Sequence, residues 1–234
     1  MNNKNLMIGV PAYDGKVYGD WLHLYSQTVL DALKENIGIH LEIISGNALI
    51  SNARNKLIKS FIEDDHCGYL LFIDSDIIWK VEYVFKLLKH VEEFDFVGGL
   101  YCKKKDPASF FIDLDLKEGN VINYTDTGLL EAKNMPAGFM MISKDVVLKM
   151  IDYYKDSEYI TKEENPEILY GLFEDKVIDG RFYGEDIIFC KKWKEMGGRM
   201  WIDPKIDLIH VGIKHYNYTF TDFVGLKDGY IKKR

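Results

Sequence analysis

The apolar run Tyr69–Ile73, followed at once by Asp74-Ser75-Asp76, constrains the fold more than any other feature of the chain. A strand that is apolar at every position has no solvent-facing side. It therefore predicts a central strand of a mostly parallel sheet with helices packed on both faces. The change to acidic residues marks the carboxyl end of that strand.

The first hundred residues supply the elements that such a sheet needs. Short apolar runs predict strands over Leu6–Val10 and Leu41–Ser45. Apolar residues at helical spacing predict helices over Trp21–Asn36, Ala53–Glu63 and Val81–Val91. This alternation of strand and helix is typical of a doubly wound α/β domain.

The second half is richer in strands. A helix is predicted after Ser143, which suits the N-cap position, and another over Asp186–Met196. The charged segment Asp156–Asp179 predicts a long irregular loop near a site. Strands are predicted over Phe96–Tyr101, Ser109–Asp113, Asn120–Tyr124, Phe139–Ile142, Arg199–Ile202 and Ile206–Val211.

Composition excludes several classes of protein. The 30 basic and 37 acidic residues give a net charge of −7, which argues against a nucleic-acid-binding platform, and 47% hydrophobic residues argue against disorder. No apolar run approaches the length of a membrane span, and Met1–Leu6 lacks a signal-peptide core. Cys67, Cys102 and Cys190 are widely spaced, which favours neither a disulfide framework nor a zinc cluster and predicts a cytoplasmic location.

Asp74 and Asp76 are the strongest candidates for chemistry. In an extended chain, residues two apart point to the same side, and ligands of open α/β sheets bind at the carboxyl ends of strands. Two carboxylates facing one ligand repel each other unless a cation lies between them, and their hard oxygens suit Mg²⁺ or Mn²⁺. The alternative is a pair of ordinary polar loop residues.

Three further groups each allow two interpretations. Arg54, predicted at the start of a helix, is either a seat for a diphosphate beside free backbone N–H groups or a solvated side chain. Glu185 and Asp186, in a predicted first helical turn, either complement the helix dipole or include a general base. His210 is either a hydrogen-bonded histidine on an apolar strand or a metal ligand.

Taken in order, these motifs resemble those of the GT-A glycosyltransferases, and of small members from large DNA viruses, phages and bacteria. The resemblance spans residues 6 to 212. The motifs that carry it are Val10-Pro11-Ala12-Tyr13-Asp14, Ala53-Arg54-Asn55, Asp74-Ser75-Asp76, Gly138-Phe139-Met140, Glu185-Asp186 and His210.

The resemblance implies one GT-A domain over residues 1–234, with a Rossmann-like, mostly parallel sheet and a smaller antiparallel sheet on the acceptor side. Residues 1–100 would form the nucleotide-binding half, 101–215 the acceptor and catalytic half, and 216–234 a C-terminal tail. The implied donor is a nucleotide-diphospho-sugar, with UDP favoured over GDP, and the acceptor is a hydroxyl of a glycan or glycoconjugate. The location would be the host cytoplasm for a viral member.

The resemblance also implies roles for particular residues. Asp186 would be the catalytic base of an inverting enzyme, with Glu185 contacting or orienting the acceptor. Asp76 and His210 would bind Mn²⁺ or Mg²⁺, and Asp74 would face the ribose and complete the metal set. The remaining donor-binding positions would be Pro11, Ala12, Tyr13, Asp14, Arg54, Ser75 and Gly138.

Other classes of function stay open. A strand followed by D-x-D also occurs in haloacid-dehalogenase-like phosphohydrolases, in which Asp74 and Asp76 would act on a phosphomonoester. In that family the motif lies near the N-terminus, and Thr or Val occupies the position of Ile78, so this chain departs from the pattern at both points. A non-catalytic carbohydrate- or nucleotide-binding protein could use aromatic residues such as Trp79, Tyr216 or Tyr218. The chain lacks G-x-G-x-x-G and a Gly- and Arg/Lys-rich loop after its first strand, which disfavours dinucleotide oxidoreductases and nucleotidylyltransferases. The donor sugar, the acceptor, the stereochemical outcome and the oligomeric state are not determined by these motifs.

Overall fold

The computed structural model describes residues 5–117, 121–212, 215, 217–224, 226–227 and 230–231. The helices are α1 (Gly19–Lys34), α2 (Ile50–Glu63), α3 (Val81–Phe94), α4 (Lys144–Tyr153), α5 (Glu185–Glu195) and α6 (Phe220–Val224). The strands of the first half are β1 (Leu6–Ala12), β2 (Ile39–Ser45), β3 (Tyr69–Ile73), β4 (Ile77–Ile78), β5 (Phe96–Leu100), β6 (Asp113–Leu114) and β7 (Leu116–Lys117). Those that follow are β8 (Val121–Ile122), β9 (Leu130–Asn134), β10 (Phe139–Ser143), β11 (Glu158–Ile160), β12 (Ile168–Tyr170), β13 (Lys176–Ile178), β14 (Arg181–Tyr183), β15 (Met200–Asp207), β16 (Ile209–His210), β17 (Leu226–Lys227) and β18 (Tyr230–Ile231).

Eight strands form the central sheet in the order β2-β1-β3-β10-β5-β15-β9-β6. β1 is parallel to β2 and β3, and β5 is parallel to β15, whereas β10 and β9 are antiparallel to both of their neighbours. Six of the eight strands therefore share one direction. The predicted α/β class, with a mostly parallel central sheet in one Rossmann-like domain, is confirmed. Instead of one smaller antiparallel sheet, the described residues form several two-stranded ones.

Helices cover both faces of this sheet. Leu71 and Ile73 of β3 belong to a hydrophobic cluster with α1 and α3, and Leu70 and Phe72 belong to a second cluster with α2, α4 and α5. All five residues of β3 are buried. The prediction that this strand is covered on both sides is confirmed, and its acidic continuation emerges at the sheet edge.

One prediction of local structure is wrong, and one strand of the central sheet was not predicted. The segment Asp156–Asp179 is not an irregular loop, because it contains the hairpin β11–β12 and the strand β13. These strands have three residues each, too few to produce an alternating pattern. The central strand β9 was not predicted either, because the charges of Glu131 and Lys133 interrupt its apolar pattern.

Other element bounds also differ. Phe110 forms only an isolated bridge with Cys102 instead of a strand over Ser109–Asp113. The predicted strand Ile206–Val211 is divided between β15 and β16, and β16 leaves the central sheet to pair with β4. Asn120 lies outside the described residues. Within the described part of the chain, no helix is both long and apolar enough to cross a membrane.

Candidate active site

The sheet order creates a crevice where β1 and β3 end. The chain runs outward from β1 to β2 and then returns across β1 to form β3. The connection that leaves β1 runs to β2 on one side, and the chain that leaves β3 runs to β5 on the other. In open α/β sheets, ligands bind outside the carboxyl ends of two neighbouring strands related in this way. Tyr13 and Asp14 follow β1, and Asp74, Ser75 and Asp76 follow β3.

Arg54 connects two of the predicted acidic groups. Its Nη2 donates to Asp74 Oδ1 at 2.8 Å, and its Nε donates to Glu185 Oε1 at 3.2 Å. The side chain is only 2% exposed, and the guanidinium lies over Phe72 and Phe173. Burial alone would lower the pKa of Arg54, but the charges of Asp74 and Glu185 outweigh burial and raise it. Arg54 is therefore a permanent buried cation between two carboxylates.

The structure corrects the prediction that Arg54 lies at a helix N-terminus. Helix α2 begins at Ile50, four residues earlier, with Leu49 as N-cap. Arg54 therefore lies in the second turn, where the helix satisfies its backbone N–H group, and does not sit among free N–H groups. Its Nη1 is buried without a hydrogen-bond partner, so it can still donate to an oxygen of a bound molecule.

Asp76 and His210 face each other across the small sheet formed by β4 and β16. His210 pairs with Ile77, and Val211 N donates to Asp76 O at 2.8 Å, so backbone bonds fix both residues. His210 Nε2 lies 3.6 Å from Asp76 Oδ2. Lys104 Nζ contacts the same carboxylate oxygen. Burial would raise the pKa of Asp76, but the contacts with His210 and Lys104 lower it.

This pair fits one side of a divalent-cation site. His210 Nδ1 lies 2.8 Å from the carbonyl oxygen of Cys102, and because a carbonyl can only accept, Nδ1 carries the hydrogen. When the ring is neutral, Nε2 therefore carries the lone pair, and it lies 3.6 Å from Asp76 Oδ2. Two electron-pair donors facing each other are stabilised by a cation between them, and a backbone carbonyl on the second nitrogen is how metal-binding histidines are oriented.

Asp74 does not join this pair, because its Oδ1 accepts from Arg54. Among the described residues, the three predicted metal ligands Asp74, Asp76 and His210 do not form a group of mutually close donor atoms. A cation there would have Asp76 and His210 as protein ligands, with the remaining positions left for water and ligand oxygens.

Asp186 lies in the first turn of α5, beside Glu185. Its Oδ1 accepts from the backbone N–H of Ile187 at 2.7 Å. Burial and the neighbouring charge of Glu185 raise the pKa of Asp186 to about 6, although Arg54 opposes the shift. A carboxylate with a pKa near the working pH is a better proton acceptor than an ordinary aspartate. Chemically, Asp186 can therefore act as a general base.

Sequence reasoning missed Tyr101 and Lys104. Tyr101 is buried at the end of β5, its hydroxyl accepts from Gly138 N at 3.1 Å, and its ring packs edge-on against His210. Burial and the charge of Asp74 raise the pKa of Tyr101. The position of both residues after β5 could have identified them. Because β5 runs in the same direction as β3, the residues that follow the two strands lie at the same end of the sheet.

Gly138 is needed for packing around Asp74 and Tyr101. A Cβ at this position would lie 2.4 Å from Tyr101 Oη and 2.7 Å from Asp74 Oδ2. Gly138 O also accepts from Asp74 N at 3.1 Å. The close approach predicted for a bound sugar is thus already made by two side chains of the protein.

The remaining predicted donor-binding residues surround the end of β1 or follow β3. Tyr13 is 68% exposed, and Asp14 is exposed and pairs with Lys16. Ala12 is buried, backbone included, and its carbonyl oxygen accepts from Gly15 N at 2.9 Å, so the prediction that Ala12 contacts the donor is not supported. Pro11 and Ser75 are half-buried.

Of the aromatic residues considered as a carbohydrate platform, Trp79 is unsuitable. It is buried, and its Nε1 donates to Thr28 Oγ1 at 3.3 Å. Tyr218 is exposed, and Tyr216 lies outside the described residues.

Comparison with known proteins supports the fold and assigns no family. No protein-family model and no curated protein sequence matches the chain. Among solved structures, the chain is similar to "A197 from STIV", with a TM-score of 0.57 and 15% identity over 91% of this chain and 93% of that one. It is also similar to 4-diphosphocytidyl-2C-methyl-D-erythritolsynthase from Anaerococcus prevotii DSM 20548, at 12% identity over 68% of this chain and 81% of that one. The TM-score of 0.38 is too low for this likeness to support a shared fold. The likeness to A197 is one of fold alone.

Proposed function

We propose that this protein is a divalent-cation-dependent glycosyltransferase that moves a sugar from a nucleotide diphosphate to a hydroxyl acceptor. The observation that carries the proposal is the pair Asp76 and His210, whose Oδ2 and Nε2 atoms lie 3.6 Å apart, with His210 Nδ1 held by the carbonyl oxygen of Cys102. The motif order, which resembles that of GT-A enzymes, adds the donor class, with UDP as the first candidate nucleotide.

The residues divide the chemistry between them. A Mn²⁺ or Mg²⁺ ion held by Asp76 and His210 would neutralise the negative charge that develops on the departing diphosphate. Asp186 accepts the proton of the acceptor hydroxyl as that oxygen attacks the anomeric carbon on the face opposite the leaving group. Arg54 binds Asp74 and Glu185, whereas Asp186 does not pair with it and has a pKa that burial and Glu185 raise.

The geometry favours this proposal over the phosphohydrolase alternative. A nucleophilic Asp74 would need a free carboxylate oxygen aimed at phosphorus. Its Oδ1 is engaged by Arg54, and its Oδ2 lies against the backbone of Gly138, where even a Cβ would be only 2.7 Å away. Asp74 is better placed to position Arg54 than to attack a substrate.

Binding of UDP and GDP, measured by calorimetry with and without Mn²⁺, tests the proposal. We expect the wild-type protein to bind one nucleotide only when Mn²⁺ is present, and Asp76→Asn to weaken that binding at least about tenfold. Asp152→Asn, an exposed change on α4, is the matched control and should leave binding unchanged. Mn²⁺-independent nucleotide binding, or turnover of a phosphomonoester without nucleotide, would contradict the proposal.

A further inference from the structure

A second cluster of metal-ligating side chains lies at the opposite end of the sheet. His40 is near the start of β2, Asp64 is the C-cap of α2, and Cys67 precedes β3. All three therefore lie at the amino ends of β2 and β3, whereas the candidate active site is at the carboxyl ends. Within the described residues, they are the one group of three or more potential ligands whose donor atoms all lie within 4.8 Å of one another.

The three side chains already interact. His40 Nδ1 lies 2.7 Å from Asp64 Oδ2. Hydrogen bonds from His40, from the backbone N–H of His66 and from the Cys67 thiol lower the pKa of Asp64 to about 2, although burial opposes the shift. Burial and the neighbouring Asp64 raise the pKa of Cys67 to about 12. In the metal-free protein, Asp64 is thus an ionised carboxylate and Cys67 a protonated thiol.

A carboxylate lies near the second ring nitrogen of His40, just beyond hydrogen-bond distance. This nitrogen, Nε2, lies 3.7 Å from Glu42 Oε2, so a carboxylate stands behind the ring on the side away from Asp64 and Cys67. Metal-binding histidines commonly donate their other N–H to such a carboxylate, which leaves the facing nitrogen free to bind. His40 is exposed, Asp64 half-buried and Cys67 buried, so a cation would enter from the His40 side.

From this geometry we propose that His40, Asp64 and Cys67 form a Zn²⁺ site separate from the candidate active site. One thiolate, one imidazole and one carboxylate are typical ligands of Zn²⁺, with a water in the fourth position. On binding, the Cys67 thiol loses its proton to solvent, and the neutral His40 ring changes tautomer, giving up its Nδ1 proton and taking one from solvent on Nε2, so that Nδ1 becomes a lone-pair donor. Asp64 Oδ2 then exchanges its hydrogen bond with His40 for a bond to the metal. Lys144, which donates to the Asp64 backbone carbonyl at 2.6 Å, favours the thiolate of Cys67 but repels the metal.

The site would join β2 to the turn between α2 and β3. Because a metal that binds only the folded chain stabilises it according to its concentration and affinity, Zn²⁺ should raise the melting temperature. This site is not predictable from the sequence, since neither Cys67 nor His40 belongs to a recognised spacing of ligands.

Titration of the chelator-treated full chain with Co²⁺ and Zn²⁺ tests the site. We expect one equivalent of Co²⁺ to produce a thiolate-to-cobalt charge-transfer band that Zn²⁺ abolishes, and Zn²⁺ to raise the melting temperature. Cys67→Ser should abolish the band, His40→Ala should weaken binding at least about tenfold, and Glu42→Gln should weaken it about tenfold to a hundredfold. His23→Ala, at another exposed histidine, is the matched control and should change nothing.

Because His40 is exposed, His40→Ala leaves the core unchanged and keeps the test informative if Cys67→Ser destabilises the fold. Absence of the charge-transfer band in the wild type, or Zn²⁺ binding by His40→Ala as tight as by the wild type, would overturn the proposal. Asp76→Asn should retain the band, so this result does not depend on whether the chain transfers sugars.

Discussion

Lys104 places an ammonium group where a divalent cation would bind Asp76. It contacts the Asp76 oxygen that faces His210. Lys104 is one of three consecutive lysines, Lys103 to Lys105, that follow the end of β5. A resident ammonium and a metal ion compete for one carboxylate, so the lysine should weaken metal binding while the nucleotide is absent.

We therefore expect Lys104→Met to bind Mn²⁺ more tightly than the wild type, by about twofold to fivefold, since a half-exposed ion pair is worth up to about 1 kcal/mol. Nucleotide diphosphate binding should weaken, because in the wild type the ammonium that the metal displaces from Asp76 can pair with phosphate, and Lys104→Met removes it. Mn²⁺ titration by electron paramagnetic resonance measures the first effect and calorimetry the second. Lys105→Met is the matched control. Unchanged or weaker Mn²⁺ binding by Lys104→Met would show that the lysine does not compete at this site.

At the scale of elements, Gly138 controls how β10 starts beside Asp74. Gly138→Ala would push a methyl group into Tyr101 Oη and Asp74 Oδ2, both closer than 3 Å. We expect the free energy of unfolding to fall by about 1–3 kcal/mol, as for other overpacked sites, and nucleotide binding to weaken because Asp74 moves relative to Arg54. Urea denaturation and calorimetry measure the two effects.

Gly19→Ala, at the first residue of α1 with nothing within 4 Å of the added Cβ, is the control for Gly138→Ala. It should leave the stability unchanged or slightly higher, because Ala favours the helix. If Gly138→Ala matched this control in both measurements, the packing around Asp74 would not depend on the glycine.

The elements that were predictable from the sequence are those with a clear apolar period. β3 is the best case, since all of its five residues are apolar and buried. β9 was missed because Glu131 is buried yet charged, and its neutralising partner Arg199 lies 68 residues away. A hydrophobicity pattern assigns such a charged residue to the exposed side of a strand. Strands that contain a buried ion pair are therefore difficult to predict from the sequence.

At the scale of the whole molecule, the sheet order determines which distant residues meet. Arg54 and Glu185 are 131 residues apart and bond directly, because α2 and the start of α5 both reach the crevice. The sequence placed acidic residues at the ends of strands and helices. It did not predict which charges would pair, because pairing depends on strand order and not on spacing along the chain.

The charge distribution of the crevice also predicts how stability depends on pH. Asp186 has its pKa raised from 3.8 to about 6, through burial and Glu185, with Asp74 contributing and Arg54 opposing. A group with a raised pKa binds protons more tightly in the folded state. Its contribution to stability is therefore complete below about pH 4 and is lost as the pH rises through about 6.

Asp186→Asn should consequently raise the free energy of unfolding at pH 8, by at most about 3 kcal/mol, and change it little at pH 4. If Asp186 is the general base, the same change should reduce transfer by about 10²–10⁴-fold, so stability and activity move in opposite directions. Urea denaturation at pH 4, 6 and 8 with a chelator present measures the stability, and Asp152→Asn on the exposed face of α4 should show no such pH dependence. A variant less stable than the wild type at pH 8 would mean that the ionised Asp186 is held by favourable contacts, and its role as a poised base would have to be abandoned.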